Sequence, residues 1–213
     1  MTSITETVQF WFDPICPWTW ATARWMHEVE KVRPVVTEWR MMSLAYLNLV
    51  QRKEVGPSPE LQNPLALQYL EERGYASIRV CAAAAHEAGD HVLGPFYAAL
   101  GMRMHDQRRS MDPAVFGEAL EEVGLPASLA EAATSDEFDD VIKRSHHEAF
   151  DQVGIDVGAP VIRVDGNAFF GPVVVPPPKG EAAGRLWDGF VIVTGTEGFY
   201  EIKRSRNISS PFR

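Results

Sequence analysis

Cys16 is the residue of this chain whose setting best fits nucleophilic chemistry. It lies between the apolar run 8–12, a predicted strand, and a helical pattern that begins with Pro17. The first backbone N–H groups of a helix lack intrahelical partners, and the positive end of the helix dipole lies there. Both features stabilise a thiolate, and proline at the first helical position needs no N–H. We therefore predict that the pKa of Cys16 falls below about 7, from about 8.5 for a free cysteine.

Thr19 stands where a C-x-x-C redox site has its second cysteine. Its hydroxyl can donate a hydrogen bond to the Cys16 sulfur, but it cannot resolve a mixed disulfide. Any adduct on Cys16 must then be released by a thiol from outside the chain. The alternative interpretation of Cys16 is a buried, inert residue, which is the commoner state of a free cysteine. We interpret Cys81, inside an alanine-rich helical pattern, as a packing residue.

Three parts of the chain must position Cys16. The apolar pattern of the first part predicts two parallel strands, 8–13 and 35–42, around a helix at 17–32. The middle part contains only helical patterns, which cover residues 63–74, 76–89, 92–106, 112–123, 126–133 and 136–153. The last part predicts a hairpin, with strands at 161–164 and 168–171 around an Asp-Gly-Asn turn, and then a helix at 179–190.

Composition and charge exclude several classes of function. The chain has 213 residues, 46% of them hydrophobic, and a net charge of −9, which suits a sizeable core and argues against nucleic-acid binding. The one basic cluster, residues 203–206, is expected to be a solvated tail. No apolar stretch has the length of a signal peptide or membrane span, so we expect a cytoplasmic protein without membrane contact. The six histidines and two cysteines show no metal-binding spacing.

The order of these elements resembles the DsbA-like branch of the thioredoxin superfamily, with strand–Cys-Pro-Trp–helix at the start and residues 157–160 before the hairpin. Further stretches resemble the actinobacterial mycothiol-dependent nitroreductase group within that branch: residues 10–14, 42–45, 132–136, 145–147, 168–173 and 184–188. The resemblance implies an α/β, thioredoxin-like fold with a large all-helical insertion. Residues 1–56 and 155–213 would form the thioredoxin-like domain, and residues 57–154 the insertion domain.

The resemblance also implies roles for individual residues. Cys16 matches the nucleophile of the family, and Pro17 and Trp18 match the two positions that follow it. Pro160 matches a proline that is cis in this superfamily and stands opposite the catalytic sulfur, where it turns the Ala159 backbone towards the cleft. The resemblance implies mycothiol, or another low-molecular-weight thiol, as co-substrate and no tightly bound cofactor. It is also compatible with a homodimer.

Thr19 departs from the better-known members of the group, which resemble Cys-Pro-Trp-Cys here, so a single-cysteine mechanism is implied. Trp18 should face the rim of the cleft, where its flat ring suits stacking on a planar substrate. Asn48, soon after the second strand, is either a polar contact near the nucleophile or an ordinary loop amide. His146 and His147 are expected at the surface or at the core rim, although one of them could reach the cleft.

Three functions from different classes fit these observations. The first is a thiol–disulfide oxidoreductase that uses Cys16 and a small thiol to reduce a disulfide or a small electrophile. The second is a transferase or isomerase related to kappa-class glutathione transferases, in which Cys16 or Thr19 stabilises the thiolate of a bound cofactor without net redox change. The third is a non-catalytic thioredoxin-like binding module, which Thr19 favours.

Overall fold

The computed structural model describes residues 5–57, 62–208 and 211, and a four-stranded sheet organises them. The strands are β1 (Glu6–Phe12), β2 (Val35–Met41), β3 (Val161–Val164) and β4 (Asn167–Phe170), in the spatial order β2-β1-β3-β4. β1 pairs with β2 in parallel, whereas β3 is antiparallel to both β1 and β4. The predicted parallel pair and the predicted hairpin are therefore confirmed.

Helices fill the connections between the strands. The α-helices of the described residues are α1 (Pro17–Val29), α2 (Leu44–Tyr46), α3 (Pro64–Arg73), α4 (Ala76–Ala88), α5 (Leu93–Gly101), α6 (Pro113–Glu122), α7 (Asp139–Val153) and α8 (Glu181–Thr194). Two π-helical turns continue α2 and α5, at Leu47–Gln51 and Met102–Asp106. Short 3₁₀ helices lie at Asp90–Val92 and Ala127–Thr134.

Local residue chemistry explains where several of these elements begin. Cys16, Asn63 and Asp112 each cap a helix with a side-chain acceptor, and each is followed by proline at the first helical position. The hairpin turn places Asp165 and Gly166 at φ 47° and 84°, the left-handed conformation that a two-residue hairpin turn requires.

Some predicted bounds are wrong. The last helix begins at Glu181 rather than 179, because Gly180 has a φ of 54° and stands outside the helix. The segment predicted as an α-helix at 126–133 is a 3₁₀ helix that follows extended Pro126. The turns of α2 and Leu47–Gln51, directly after β2, were not predicted, since the segment has neither a long apolar period nor a proline start.

The second half of strand β1 is buried on both faces and separates two cores. Alternate residues of a strand point to opposite faces, so Phe10 and Phe12 enter the larger core while Trp11 enters a smaller one that contains Cys16. The larger core takes residues from the sheet, from α1 and from the helices of the middle part. The division into a thioredoxin-like domain (1–56 and 155–213) and an insertion domain (57–154) stays a prediction. Residues 1–4, 209–210 and 212–213 of the first domain and residues 58–61 of the second lie outside the described residues.

The sheet brings the start of β3 to the cysteine. Trp11 of β1 stands opposite Val161, so Pro160 enters the sheet beside the end of β1 from which the chain continues to Cys16. Ala159 and Cys16 accordingly lie in the same small core. The fold thus brings together around Cys16 two segments that are distant in sequence.

Candidate active site

Cys16 is the N-cap of α1, as its place before Pro17 predicts. Its backbone is extended, with φ −86° and ψ 110°, and its Sγ accepts the backbone N–H of Thr19 at 3.5 Å. The Cys16 N–H donates to the carbonyl of Asp13 at 3.1 Å, which closes the turn between β1 and α1. The sulfur therefore sits over the unpaired N–H groups at the start of the helix.

The prediction of a low pKa for Cys16 is wrong. Only 7% of the residue is exposed, and this burial raises the pKa of the thiol above its ordinary value because a thiolate is poorly solvated there. Hydrogen bonds from Thr19 and from the Trp18 backbone lower the pKa, while the negative charge of Asp13 raises it again. The sequence showed the helix N-terminus but not the depth of burial, which the small core around Trp11 and Phe150 imposes.

Thr19 faces the sulfur with both of its polar groups. Besides the backbone N–H, its side-chain hydroxyl lies close enough to lower the pKa of Cys16. Among the described residues, the Thr19 Oγ1 is nevertheless a buried oxygen without a well-formed hydrogen bond. A buried hydroxyl in this state favours a negatively charged acceptor, which it gains when Cys16 ionises.

Asp13 is a site residue that the sequence analysis did not single out. It is fully buried, and its carboxylate accepts the N–H groups of Ile15 at 3.1 Å and Leu44 at 2.7 Å. These bonds join the cysteine turn to the segment that follows β2. Burial raises the pKa of Asp13 to about 7, against the lowering effect of the two N–H donors. The sequence signal that could have identified Asp13 is a charged residue directly after an apolar strand.

Trp18 and Ala159 share the small core that contains Cys16, whereas a binding role of Trp18, Ala159 and Pro160 stays a prediction. Trp18 is half-buried and packs against the small core that contains Cys16 and Ala159. The Ala159–Pro160 peptide bond is cis. Ala159 and Pro160 are both buried, whereas Ile15, Pro17 and Trp18, the chain neighbours of the cysteine, are half-buried.

Asn48 forms a hydrogen bond within its own turn. It is 5% exposed and lies in the π-helical turn after α2, where its amide nitrogen donates to the Leu44 carbonyl at 2.8 Å. Its Oδ1 accepts from Arg52 Nη1 at 3.3 Å, and the same guanidinium donates to the carbonyls of Ile155 and Val157 (2.7 Å for Val157). Asn48 and Arg52 thereby connect the segment after β2 with the loop that leads to Pro160. A direct role of Asn48 in binding stays a prediction.

His105 and His146 form hydrogen bonds with segments that adjoin the site. His105 is half-buried and donates its Nε2 hydrogen to the Pro14 carbonyl at 2.8 Å, since a carbonyl only accepts. Partial burial lowers the pKa of His105. The expectation that His146 lies at the surface or the core rim is wrong, because its side chain is fully buried and stacks on Phe150. His147 is half-buried and contacts Tyr46.

Among residues 5–57, 62–208 and 211, no group of three or more potential ligands could hold a metal ion. Within the same residues, no helix has both the length and the apolar character needed to cross a membrane. Both cysteines are free.

Residues 15–204 match the family model described as Rv2466c-like, mycothiol-dependent nitroreductase Rv2466c. The chain belongs to this family. It is also 33% identical over 207 residues to the uncharacterized protein Rv2286c of Mycobacterium tuberculosis, an alignment that covers 94% of this chain and 83% of that protein. The resemblance to the mycothiol-dependent nitroreductase group is therefore confirmed.

Solved structures show the same fold at low identity. The cytosolic disulfide reductase DsbM of Pseudomonas aeruginosa, solved with GSH, has a TM-score of 0.54 and 14% identity and covers 87% of this chain and 99% of its own. The disulfide bond oxidoreductase DsbG of Mycobacterium tuberculosis has a TM-score of 0.53 and 16% identity, with coverage of 92% and 81%. The predicted fold class, an α/β thioredoxin-like fold of the DsbA type, is confirmed.

Proposed function

We propose that the protein is a thiol-dependent oxidoreductase in which Cys16 is the nucleophile and a low-molecular-weight thiol, mycothiol, is the co-substrate. The observation that carries the proposal is that the sulfur of Cys16 caps the helix. It accepts the Thr19 N–H, and Cys16 shares a core with Ala159. The family model, named for a mycothiol-dependent nitroreductase, supports the choice of thiol, and the GSH in the DsbM structure supports a small thiol in this fold.

The first step is attack of the Cys16 thiolate on one sulfur of a substrate disulfide. The Cys16–sulfur bond forms as the substrate S–S bond breaks, and the other half leaves as a thiolate with the electron pair. Thr19 stabilises the attacking thiolate through its N–H and through its otherwise unpaired hydroxyl. Because burial raises the pKa of Cys16, the resting sulfur is a thiol, so its proton passes to water before the attack and the leaving thiolate takes up a proton from water.

The second step needs an external thiol, because position 19 is threonine. The thiolate of one co-substrate molecule attacks the outer sulfur of the mixed disulfide, forms a new disulfide and returns the electron pair to Cys16. A second molecule of thiol reduces that product outside the protein, so two thiols are oxidised for each substrate disulfide. We place this cycle in the cytoplasm, where a reducing thiol pool keeps both cysteines free. A homodimer stays a prediction.

Mass spectrometry with mycothiol disulfide tests the proposal. We expect one mycothiol adduct, mapped to Cys16, in the wild-type protein and in Cys81→Ser, and no adduct in Cys16→Ser. Thiol-dependent reduction of a disulfide dye should likewise be lost in Cys16→Ser and retained in Cys81→Ser, since Cys81 is fully buried. An adduct on Cys81, or full activity of Cys16→Ser, would show that another residue is the nucleophile. Glutathione disulfide in a parallel incubation tests the choice of thiol.

A further inference from the structure

The hydroxyl of Tyr97 is a buried polar group that the proposed mechanism does not use. Tyr97 lies in α5 and is fully buried. Within the part of the chain that the structure describes, its oxygen has no hydrogen-bond partner. A buried hydroxyl in this state lowers the stability of the fold, whereas a phenylalanine would fill the same space without that cost. The hydroxyl therefore needs an explanation other than packing.

Aromatic contacts hold the ring of Tyr97 beside the turn that carries Cys16. The ring stacks on Phe12, the last residue of β1, with centroids 4.1 Å apart and planes 16° apart. It also meets the uncharged rings of Trp20 and Trp39, at 5.5 and 5.8 Å. The Trp20 N–H donates to the Cys16 carbonyl at 3.1 Å. The ring thus contacts residues that precede and follow the cysteine in the chain.

The ionisable groups that face this hydroxyl are all acids. They are Asp13 and Cys16, from the connection between β1 and α1, and Cys81, from α4; each of them is buried. Burial, and then negative charge on Cys16, Asp13 and Cys81, raises the pKa of Tyr97 well above its ordinary value. The phenol therefore keeps its proton at neutral pH and can donate it to a nearby anion.

We propose that Tyr97 is a positioning residue for Cys16, whose free hydroxyl turns its hydrogen towards the sulfur when the thiolate forms and stabilises that charge. A thiol is a weak acceptor, whereas a buried thiolate attracts an O–H dipole strongly, so the gain belongs to the ionised state. Cys16 releases its proton to water, and Tyr97 keeps its own. The proposal rests on the proposed function, because a stabilised thiolate contributes to the reaction only if this sulfur attacks.

Tyr97→Phe removes the hydroxyl and keeps the ring. The ionisation midpoint of Cys16 is measured by the ultraviolet absorbance of its thiolate against pH, as the difference between each protein and its Cys16→Ser counterpart, so no reagent has to reach the sulfur. We expect the midpoint to rise by about 0.5 to 1 pH unit, a threefold to tenfold smaller thiolate fraction at lower pH, the size of a typical hydrogen bond. The free energy of unfolding should not fall, because the hydroxyl that is lost was unpaired.

The matched control is Tyr75→Phe, which removes a phenol hydroxyl from a half-buried tyrosine whose ring lies 5.0 Å from the guanidinium carbon of Arg79. It should keep the wild-type midpoint.

A midpoint of Cys16 that does not rise in Tyr97→Phe, or that rises equally in Tyr75→Phe, would overturn the proposal. So would a wild-type Cys16 that does not ionise before the protein unfolds at high pH, because no thiolate is then stabilised. If the midpoint rises as expected but Cys16→Ser keeps full thiol-dependent turnover, Tyr97 still acts on the sulfur and the proposed function fails. If turnover requires Cys16 but the midpoint is unchanged, the proposed function stands and Tyr97 has no such role.

Discussion

At the residue scale, two opposing influences act on the sulfur of Cys16. Burial and the nearby carboxylate of Asp13 disfavour the thiolate, whereas the N–H and hydroxyl of Thr19 favour it. The helix N-terminus was visible in the sequence because a strand, a cysteine and a proline follow one another. The burial was not visible, because it depends on Phe150, which is distant in the chain.

Asp13→Asn should make Cys16 react faster, and only at higher pH. The pKa of Asp13 is raised to about 7, so the wild-type carboxyl is mostly neutral below that pH and charged above it. Above pH 7 the charge raises the pKa of Cys16, and the amide variant lacks that charge. The ratio of alkylation rates, variant over wild type, should therefore be near one at pH 6 and rise through pH 7.

Alkylation by iodoacetamide, followed by mass spectrometry, measures this ratio. A suitable control is Asp156→Asn, at an exposed aspartate, which should give a ratio near one at every pH. A ratio for Asp13→Asn that does not change between pH 6 and pH 9 would mean that Asp13 stays neutral or lies too far from the sulfur to act on it.

At the element scale, the site is assembled by short turns that sequence patterns do not show. The strands and most of the helices have apolar periods, caps and prolines that predict them, as at Asp112–Pro113. The π-helical turns that hold Asn48 and His105 have no such signature, because each continues a helix that is already formed. Arg52 and His105 were missed for this reason, although both contact loops beside the cysteine.

His146 connects two of these elements and should make stability depend on pH. Its Nδ1 accepts the Ser43 N–H at 3.2 Å, so its Nε2 carries the hydrogen and donates to Gln51 at 2.8 Å. Burial, followed by His147, lowers the pKa of His146 to about 3. Protonation is therefore favoured in the unfolded chain, whose histidine has a pKa of about 6.5, and native stability is lost as pH falls from there towards 3.

Replacing this histidine removes that pH dependence. At pH 7 we expect His146→Gln to unfold with a free energy about 1–3 kcal/mol below that of the wild type, because the stacking on Phe150 and good hydrogen-bond geometry are lost. The difference should narrow as pH falls below about 6.5, since only the wild type loses this contribution. Urea unfolding at several pH values measures the difference in free energy of unfolding between the two proteins. A difference that does not change with pH would contradict the low pKa of His146.

At the scale of the whole molecule, the helical middle part and the sheet share one core. Trp20 shows how closely α1 and the middle part approach each other. Its indole N–H donates to Asp106 at 3.0 Å, and its ring covers Gly101 of α5. The sequence predicted the order of the elements and hence the fold class. It did not predict this contact, because neither a glycine in a helix nor an aspartate after it identifies its partner.

Gly101→Ala tests how strongly this contact couples the middle part to the cysteine. An added Cβ would lie 2.3 Å from Trp20 Cε3, so α1 or α5 must shift, and we expect the free energy of unfolding to fall by about 1–3 kcal/mol. Because Cys16 caps the start of α1, a shift of this helix should also accelerate alkylation of Cys16. The matched control is Gly189→Ala in α8, where an added Cβ meets no atom within 4 Å apart from its own helix backbone. There the greater helix propensity of alanine should raise the free energy of unfolding by up to about 1 kcal/mol. Equal effects of the two substitutions on unfolding and on Cys16 alkylation would mean that the contact does not couple the two parts.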